Sequence, residues 1–294
     1  MPIQLILESH EKDLGGFKVS RSLPSAKRRM VGPFIFIDHM GPALIQPPQE
    51  MTVRPHPHIG LSTLTYLFEG QIQHRDSLGS NQVITPGAIN WMTAGRGIVH
   101  SERTPDQLKK TSQQLHGLQC WVALPDQLEE CPPSFHHFPK EALPVSQSGT
   151  TLLRVLMGQC LGLQSPAQFH SDLFFAEIEF PERGEIQLPA DSREIGIYVV
   201  EGACYADGSF LSQRQLGVWN EPPQFSITGE PNTRIIIFGG RPVGHREIWW
   251  NLVASSKEKL ASAKEDWKKG PRADSPRFQK VPGDEIDFIP APEG

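Results

Sequence analysis

Leu61-Ser62-Thr63-Leu64-Thr65-Tyr66-Leu67-Phe68 is a β-branched and aromatic run of strand length, and Glu69-Gly70 turns it. The rhythm continues without a break. Gln71 to Arg75 runs into a turn at Asp76-Ser77-Leu78-Gly79, Val83-Ile84 meets Pro86-Gly87, and Ile89 to Met92 follows. Ala94-Gly95-Arg96-Gly97 then delivers the chain to Ile98-Val99-His100. Turn signals at intervals of about 8 to 12 residues between short apolar runs predict a small antiparallel barrel or sandwich.

A histidine pair and a histidine–glutamate pair flank this series. Arg54-Pro55-His56-Pro57-His58-Ile59-Gly60 precedes it, and Gly97-Ile98-Val99-His100-Ser101-Glu102 closes it. Residues two apart on a strand share a face, so His56 and His58 point one way, as do His100 and Glu102. Two neighbouring strands therefore offer three imidazoles and one carboxylate to a single point. A proline-alternated histidine run alone is also what a solvated loop looks like. The second pair at the same spacing, beyond turn-rich sequence, is what argues for a site. Three neutral nitrogens and a carboxylate suit Fe, Co, Ni, Cu or Zn, whereas Ca or Mg wants more oxygen. Iron fits best where positions of a six-coordinate ion stay open, and the pairs contain none of the cysteines that mark closed structural zinc sites.

Composition narrows the alternatives. The chain has 294 residues, a net charge of −5 and 21% charged residues, which describes an ordinary soluble protein of about two domains. No basic excess calls for nucleic acid, and Lys27-Arg28-Arg29 reads as a solvated turn. The 27 prolines and 26 glycines punctuate apolar runs and favour many short strands. The cysteines at 120, 131, 160 and 204 form no Cys-x-x-Cys pair and read as reduced thiols. Met1 to Glu8 is too short and too soon acidic for a signal peptide, and no run approaches a membrane span. Cytoplasm, with no membrane and no direct nucleic-acid binding, is the expectation.

Elsewhere, Gly32 to Pro42 reads as a buried strand whose Asp38 and His39 bond locally. Leu115 to Leu124 is a strand with His116, Leu118 and Cys120 on one face and Gln119 and Trp121 on the other, and phase does not say which is inner. His74 and His116 read as packed histidines, and His136-His137 as solvated loop. Asp126 to Gly149, rich in proline and polar residues, looks like a linker. The predicted domains are 1–135, a metal-binding barrel, and 145–294, a barrel without ligands that includes a C-terminal helix. Tyr66-Leu67-Phe68-Glu69-Gly70 is echoed 132 residues later by Tyr198-Val199-Val200-Glu201-Gly202. The same offset carries His56 and His58 onto Leu188 and Ala190, which cannot bind metal. At the end, Ser255-Ser256-Lys257-Glu258 has capping-box spacing, and Leu260, Ala263, Lys264 and Trp267 follow at helical intervals until Gly270. This predicts a surface helix of about four turns, followed by a tail, Phe278 to Pro292, that packs back along a barrel.

With these residues in view the chain resembles pirin, a bicupin family. The similar segments are Gly32-Pro33-Phe34, Asp38-His39-Met40-Gly41-Pro42, His56-Pro57-His58-Ile59-Gly60, His74-Arg75-Asp76-Ser77-Leu78-Gly79, Trp91 through Glu102, and Leu115-His116-Gly117-Leu118-Gln119. They are dense in the first half and looser in the second, where Trp249-Trp250-Asn251 and the capped helix are similar to a bacterial branch. The resemblance implies an all-β monomer of two cupin-type β-barrels with a short C-terminal helix. It also implies one non-haem iron on His56, His58, His100 and Glu102, with Mn added to the other divalent metals compatible with the set. Many other cupins place the carboxylate seven residues before the closing glycine. That position is Thr63 here, so the role falls to Glu102.

Two function classes follow from the resemblance. One is a quercetin 2,3-dioxygenase type of enzyme that takes a flavonol-like molecule and dioxygen, with Glu102 as ligand and candidate catalytic base. The other is a redox-sensing regulator whose metal switches binding to a protein partner. Open coordination positions favour the first.

Overall fold

The computed structural model describes residues 3–13, 18–167 and 170–292, so the first two residues of the Met1 to Glu8 stretch lie outside it. The protein is all-β with one short α-helix among the described residues, in two cupin-type domains. No helix among them is long and apolar enough to cross a membrane. Contacts divide the chain into two compact units. One gathers Met40–Lys140 and Val243–Gly294 with Asp13–Lys18, and the other gathers Val19–His39 and Glu141–Pro242 with Met1–Lys12.

In the first unit, eight strands carry the predicted rhythm: β1 (Thr52–His58), β2 (Leu61–Glu69), β3 (Ile72–Asp76), β4 (Asn81–Ile84), β5 (Ile89–Thr93), β6 (Ile98–Arg103), β7 (Gln113–Ala123) and β8 (Ser134–Phe138). They lie antiparallel in the orders β8-β5-β2-β7 and β1-β6-β3-β4. Leu61 to Leu67 are buried on both faces of β2, which is why that run is continuously apolar or β-branched rather than alternating. Thr63 lies opposite Trp121 and Thr65 opposite Gln119, so these four share one face across β2 and β7.

Several expectations are corrected here. The stretch from 126 to 149 is not a bare linker. Ser134–Phe138 extends the barrel sheet by pairing with β5, and His137 Nδ1 meets Asn90 Oδ1 at 2.8 Å, so this histidine is not simply solvated. Val145–Ser148 then pairs with Thr151–Cys160 inside the other unit, which leaves only residues 139 to 144 as a connection. The helix α1 (Lys257–Lys268) is also shorter than predicted, at 12 residues or about three turns. Its cap is Ser256 rather than Ser255, accepting from Lys259 N at 3.3 Å. Finally, α1 does not group with the second half of the sequence. Its Leu260, Ala263 and Trp267 bury against Ile59, Val99, Leu252 and Phe278, because an amphipathic helix goes wherever its apolar stripe finds a matching face. Burying Trp267 alone is worth about 3 kcal/mol. The tail does pack back as expected: Ile289 N donates to Pro55 O at 2.8 Å, and Arg103 grips Asp284 with two hydrogen bonds, the longer at 2.7 Å.

The second unit repeats the pattern without its polar centre. Leu5–Glu8, Gln215–Asn220, Glu194–Glu201, Thr233–Gly240, Leu173–Phe180, Thr151–Cys160 and Val145–Ser148 form one sheet in that order, and Gly184–Leu188, Phe225–Gly229, Ala203–Ala206 and Ser209–Ser212 form another. The interior is apolar, filled by residues such as Phe174, Phe180, Ile197, Trp219, Ile227 and Ile237. Tyr198 is buried like Tyr66, and Gly202 ends its strand at φ 75° as Gly70 does at 82°. Leu188, the residue at the offset of His56, belongs to that apolar core. Asp38 accepts from Arg21 at 2.7 and 2.8 Å, whereas His39 departs from the local reading, since its Nδ1 meets Tyr198 Oη at 2.8 Å across 159 residues. Arg28 departs from the solvated-turn reading by pairing with Glu194 at 2.6 Å.

Candidate metal centre

β1 is the edge of its sheet, the one place where alternating prolines cost no ladder hydrogen bonds. Pro55 and Pro57 therefore sit between the histidines without breaking the strand. The register with β6 sets His100 directly opposite His56 and Ile98 opposite His58. The three rings converge, with centroids 5.0 Å apart for His56 and His58, 4.3 Å for His56 and His100, and 5.0 Å for His58 and His100. One nitrogen from each lies within 4.8 Å of the others, and all three residues are buried.

The other ring nitrogen of each histidine is spoken for. His56 Nδ1 donates to Arg54 O at 2.9 Å, and His58 Nδ1 to Asn251 O at 2.9 Å. His100 Nδ1 faces His74 Nδ1 at 3.4 Å. Donating through Nδ1 leaves the Nε2 lone pair as the free end of the ring, and His100 Nε2 is buried without a hydrogen-bond partner. Buried polar atoms rarely stay unpartnered, so three converging nitrogens of this kind fit a cation. Burial also holds the rings neutral. It pushes His56 down to about 4, with smaller opposing help from the Arg54 carbonyl, and it drives His58 and His100 well below the ordinary imidazole range. Neutral imidazole is the ligand form.

Glu102 shares the inward face with His100 in the regular β3 ladder, where it stands opposite His74. Its carboxyl is not in the group of donor atoms drawn within 4.8 Å. It bonds instead to Thr65, whose hydroxyl also reaches Gln119 Oε1 at 2.8 Å. Burial lifts Glu102 to about 7. The face of β7 left open by the sequence is now resolved, since Trp121 lies 5.1 Å from His58, edge to face, beside Gln119. His116 packs against Phe68 at 4.8 Å and is not part of the cluster. The cysteines stay out as well, and burial raises the thiols of Cys160 and Cys204 to about 12.

The sequence reading takes His74 only as a packed histidine and gives no role to Asp76 or Asn251. His74 and Asp76, on β3, stand behind His100 and carry the legible signal of a same-face His-x-Asp pair. Asn251 acts through its backbone carbonyl, which no residue type announces. It belongs to the hairpin of β9 (Glu247–Trp249) and β10 (Leu252–Ala254), whose turn holds Trp250 at φ 54°. For a bulky residue that conformation costs about 1–3 kcal/mol. Packing of Trp250 against Trp249 and Trp267 offsets it. The hairpin comes close because Gly60, at φ 66°, has no Cβ; one would stand 2.1 Å from Val253 O.

Residues 16–122 match the Pirin family and residues 175–273 the Pirin C-terminal cupin domain. A pirin-like protein of Caulobacter vibrioides is 44% identical over 99% of this chain and 100% of its own length. A Pseudomonas aeruginosa protein provisionally named quercetin 2,3-dioxygenase is 36% identical over 95% of this chain and 87% of its own. A crystal structure of quercetin 2,3-dioxygenase from Acinetobacter baumannii superposes with a TM-score of 0.89 at 32% identity, covering 98% of this chain and 95% of that one. Both halves are matched in order, and likeness to a relative runs the length of the chain: the protein belongs to the pirin family.

Proposed function

We propose that His56, His58, His100 and Glu102 hold one divalent transition-metal ion, iron in the cell, and that the protein is a quercetin 2,3-dioxygenase-type oxidoreductase acting on a flavonol-like molecule with dioxygen. The observation that carries this is the convergence of three buried, neutral imidazoles whose outward nitrogens are already engaged. The likeness to a solved quercetin 2,3-dioxygenase supports the choice of chemistry, and the unbridged cysteines support a cytoplasmic setting. A bound ion with open positions supplies a Lewis-acid point beside which a phenolic hydroxyl loses its proton more readily. Glu102, buried on the same strand face as His100, is the candidate to take that proton. Trp121 sets an apolar ring beside the cluster, as an aromatic substrate would need.

Protein loaded with ferrous iron under anaerobic conditions, then given quercetin and air, should bleach the flavonol and consume oxygen in proportion. Full iron occupancy without turnover overturns the assignment and favours a regulatory binder. Glu102→Gln should lower turnover by a factor of about a hundred or more while weakening metal binding less than loss of a histidine does. The pH dependence has a definite sign. A proton must leave Glu102 before it can ligate, so metal affinity should be flat above about 7 and fall below it until it levels off at the affinity of Glu102→Gln, with His56 adding a further loss only near 4. Titrations with nickel or cobalt at several pH values check this, and Glu102→Gln should erase the slope between pH 5 and 7.

A further inference from the structure

We propose that Asp76 and His74 form a relay that fixes which nitrogen of His100 carries its hydrogen, and so keep His100 Nε2 open to the metal. The inference rests on the metal reading given above. His56 and His58 lean on backbone carbonyls, which can only accept. His100 alone leans on another imidazole, which can either donate or accept. Something must settle that choice.

Asp76 settles it. The residue is fully buried, and its Oδ1 accepts from Leu78 N at 2.9 Å and Ser80 N at 3.0 Å, leaving Oδ2 for His74 Nε2 at 3.0 Å. A carboxylate accepts only, so His74 carries its hydrogen on Nε2. His74 Nδ1 is then a lone pair, and across 3.4 Å it takes the hydrogen of His100 Nδ1. The His74 ring cannot turn away easily, because it stacks on Phe135 with centroids 4.3 Å apart and planes 13° from parallel. With His74 neutral each step has one outcome, and the last leaves His100 Nε2 bare. His74 and Asp76 are positioning residues, since neither touches the site where the ion would sit.

Asp76→Asn reverses the relay without changing its shape. The turn donors Leu78 N and Ser80 N hold the amide oxygen, so the amide NH2 faces His74 Nε2. His74 must then accept there and donate from Nδ1. His100 Nδ1 becomes the acceptor, and its hydrogen moves to Nε2, where it blocks the ligand position.

The test is read first on metal-free protein labelled with 15N in its histidines. Long-range proton–nitrogen correlation should show His100 and His74 protonated on Nδ1 and Nε2 respectively in the wild type, and on the opposite nitrogens in Asp76→Asn. Nickel and ferrous-iron titrations should show affinity lower in Asp76→Asn by about tenfold to a hundredfold, the range for losing an outer partner of a ligating histidine. His74→Phe keeps the stack on Phe135 and removes the acceptor. It should give a mixed His100 tautomer and a smaller loss. Wild-type His100 carrying its hydrogen on Nε2, or a doubly protonated His74, overturns the relay even if neither variant folds. Wild-type metal affinity and unchanged nitrogen shifts in Asp76→Asn overturn it too. A wild type that binds no metal sinks the metal reading instead, and the nitrogen shifts still judge the relay.

Discussion

Replacing His100 with alanine is expected to lower metal affinity by about a hundredfold or more while the protein stays folded. Closed four-donor sites bind with about 10–16 kcal/mol, so one donor in four carries on the order of 3 kcal/mol, and 1.4 kcal/mol is about tenfold. His100 lies opposite His56 and within 5.0 Å of His58 by ring centroid, so its removal opens one whole side of the cluster. Folding survives because the imidazole makes no contact on which the apolar core depends. The barrel is held by Leu61, Leu64, Leu67, Ile89 and Val99, and by the α1 contacts of Trp267. His56→Ala should behave alike, with the Arg54 carbonyl left at a sheet edge. Elemental analysis after dialysis against a weak chelator is the measurement, with circular dichroism to confirm the fold. Wild-type metal content in either variant would falsify the ligand set.

The fold was legible because strand periodicity and turn chemistry are local. Gly70, Gly79 and Gly87 all take positive φ at the turns where the sequence places them. The histidine pairs were legible for the same reason, since alternation along one strand fixes a shared face whatever the neighbours are. What escaped is non-local. His74 reads as a packed core histidine until the register puts Asp76 beside His100 and Glu102 opposite His74. Asn251 supplies a carbonyl to His58 across 193 residues, and a backbone group leaves no mark in composition. The helix escaped in place rather than in kind, because its apolar stripe specifies a match for Leu260 and Trp267 without saying which half of the chain provides it. Ser134–Phe138 was hidden by the prolines before it, although Phe135 proves to be the ring on which His74 stacks.

Glu129→Ala should destabilise the protein by about 3–5 kcal/mol, the cost of breaking a buried ion pair from one side. The side chains of Glu129 and Arg246 are only 2% and 1% exposed and approach to 3.3 Å. Glu129 Oε2 also accepts from Ser255 Oγ and Lys259 Nζ, each at 2.7 Å. One carboxylate thus ties the segment before β9 and the first turn of α1 to the end of β7, where Arg246 also donates to Leu124 O at 2.6 Å. Alanine removes the partner of a buried guanidinium and of two donors at once. Asp126, 58% exposed at 2.7 Å from Arg246, is too well solvated to replace it. For a chain of this size the loss corresponds to a fall in Tm on the order of 10 °C. Asp126→Ala should shift it far less, because an exposed pair is worth about 0–1 kcal/mol. The same variant tests how the terminal hairpin serves the metal. Loosening β9 and β10 displaces the Asn251 carbonyl from His58, so Glu129→Ala should also weaken nickel binding below its melting range, whereas Asp126→Ala should not. A drop of less than about 2 °C would overturn the buried-pair argument, and full metal affinity in a measurably destabilised Glu129→Ala protein would separate the hairpin's packing from the orientation of His58.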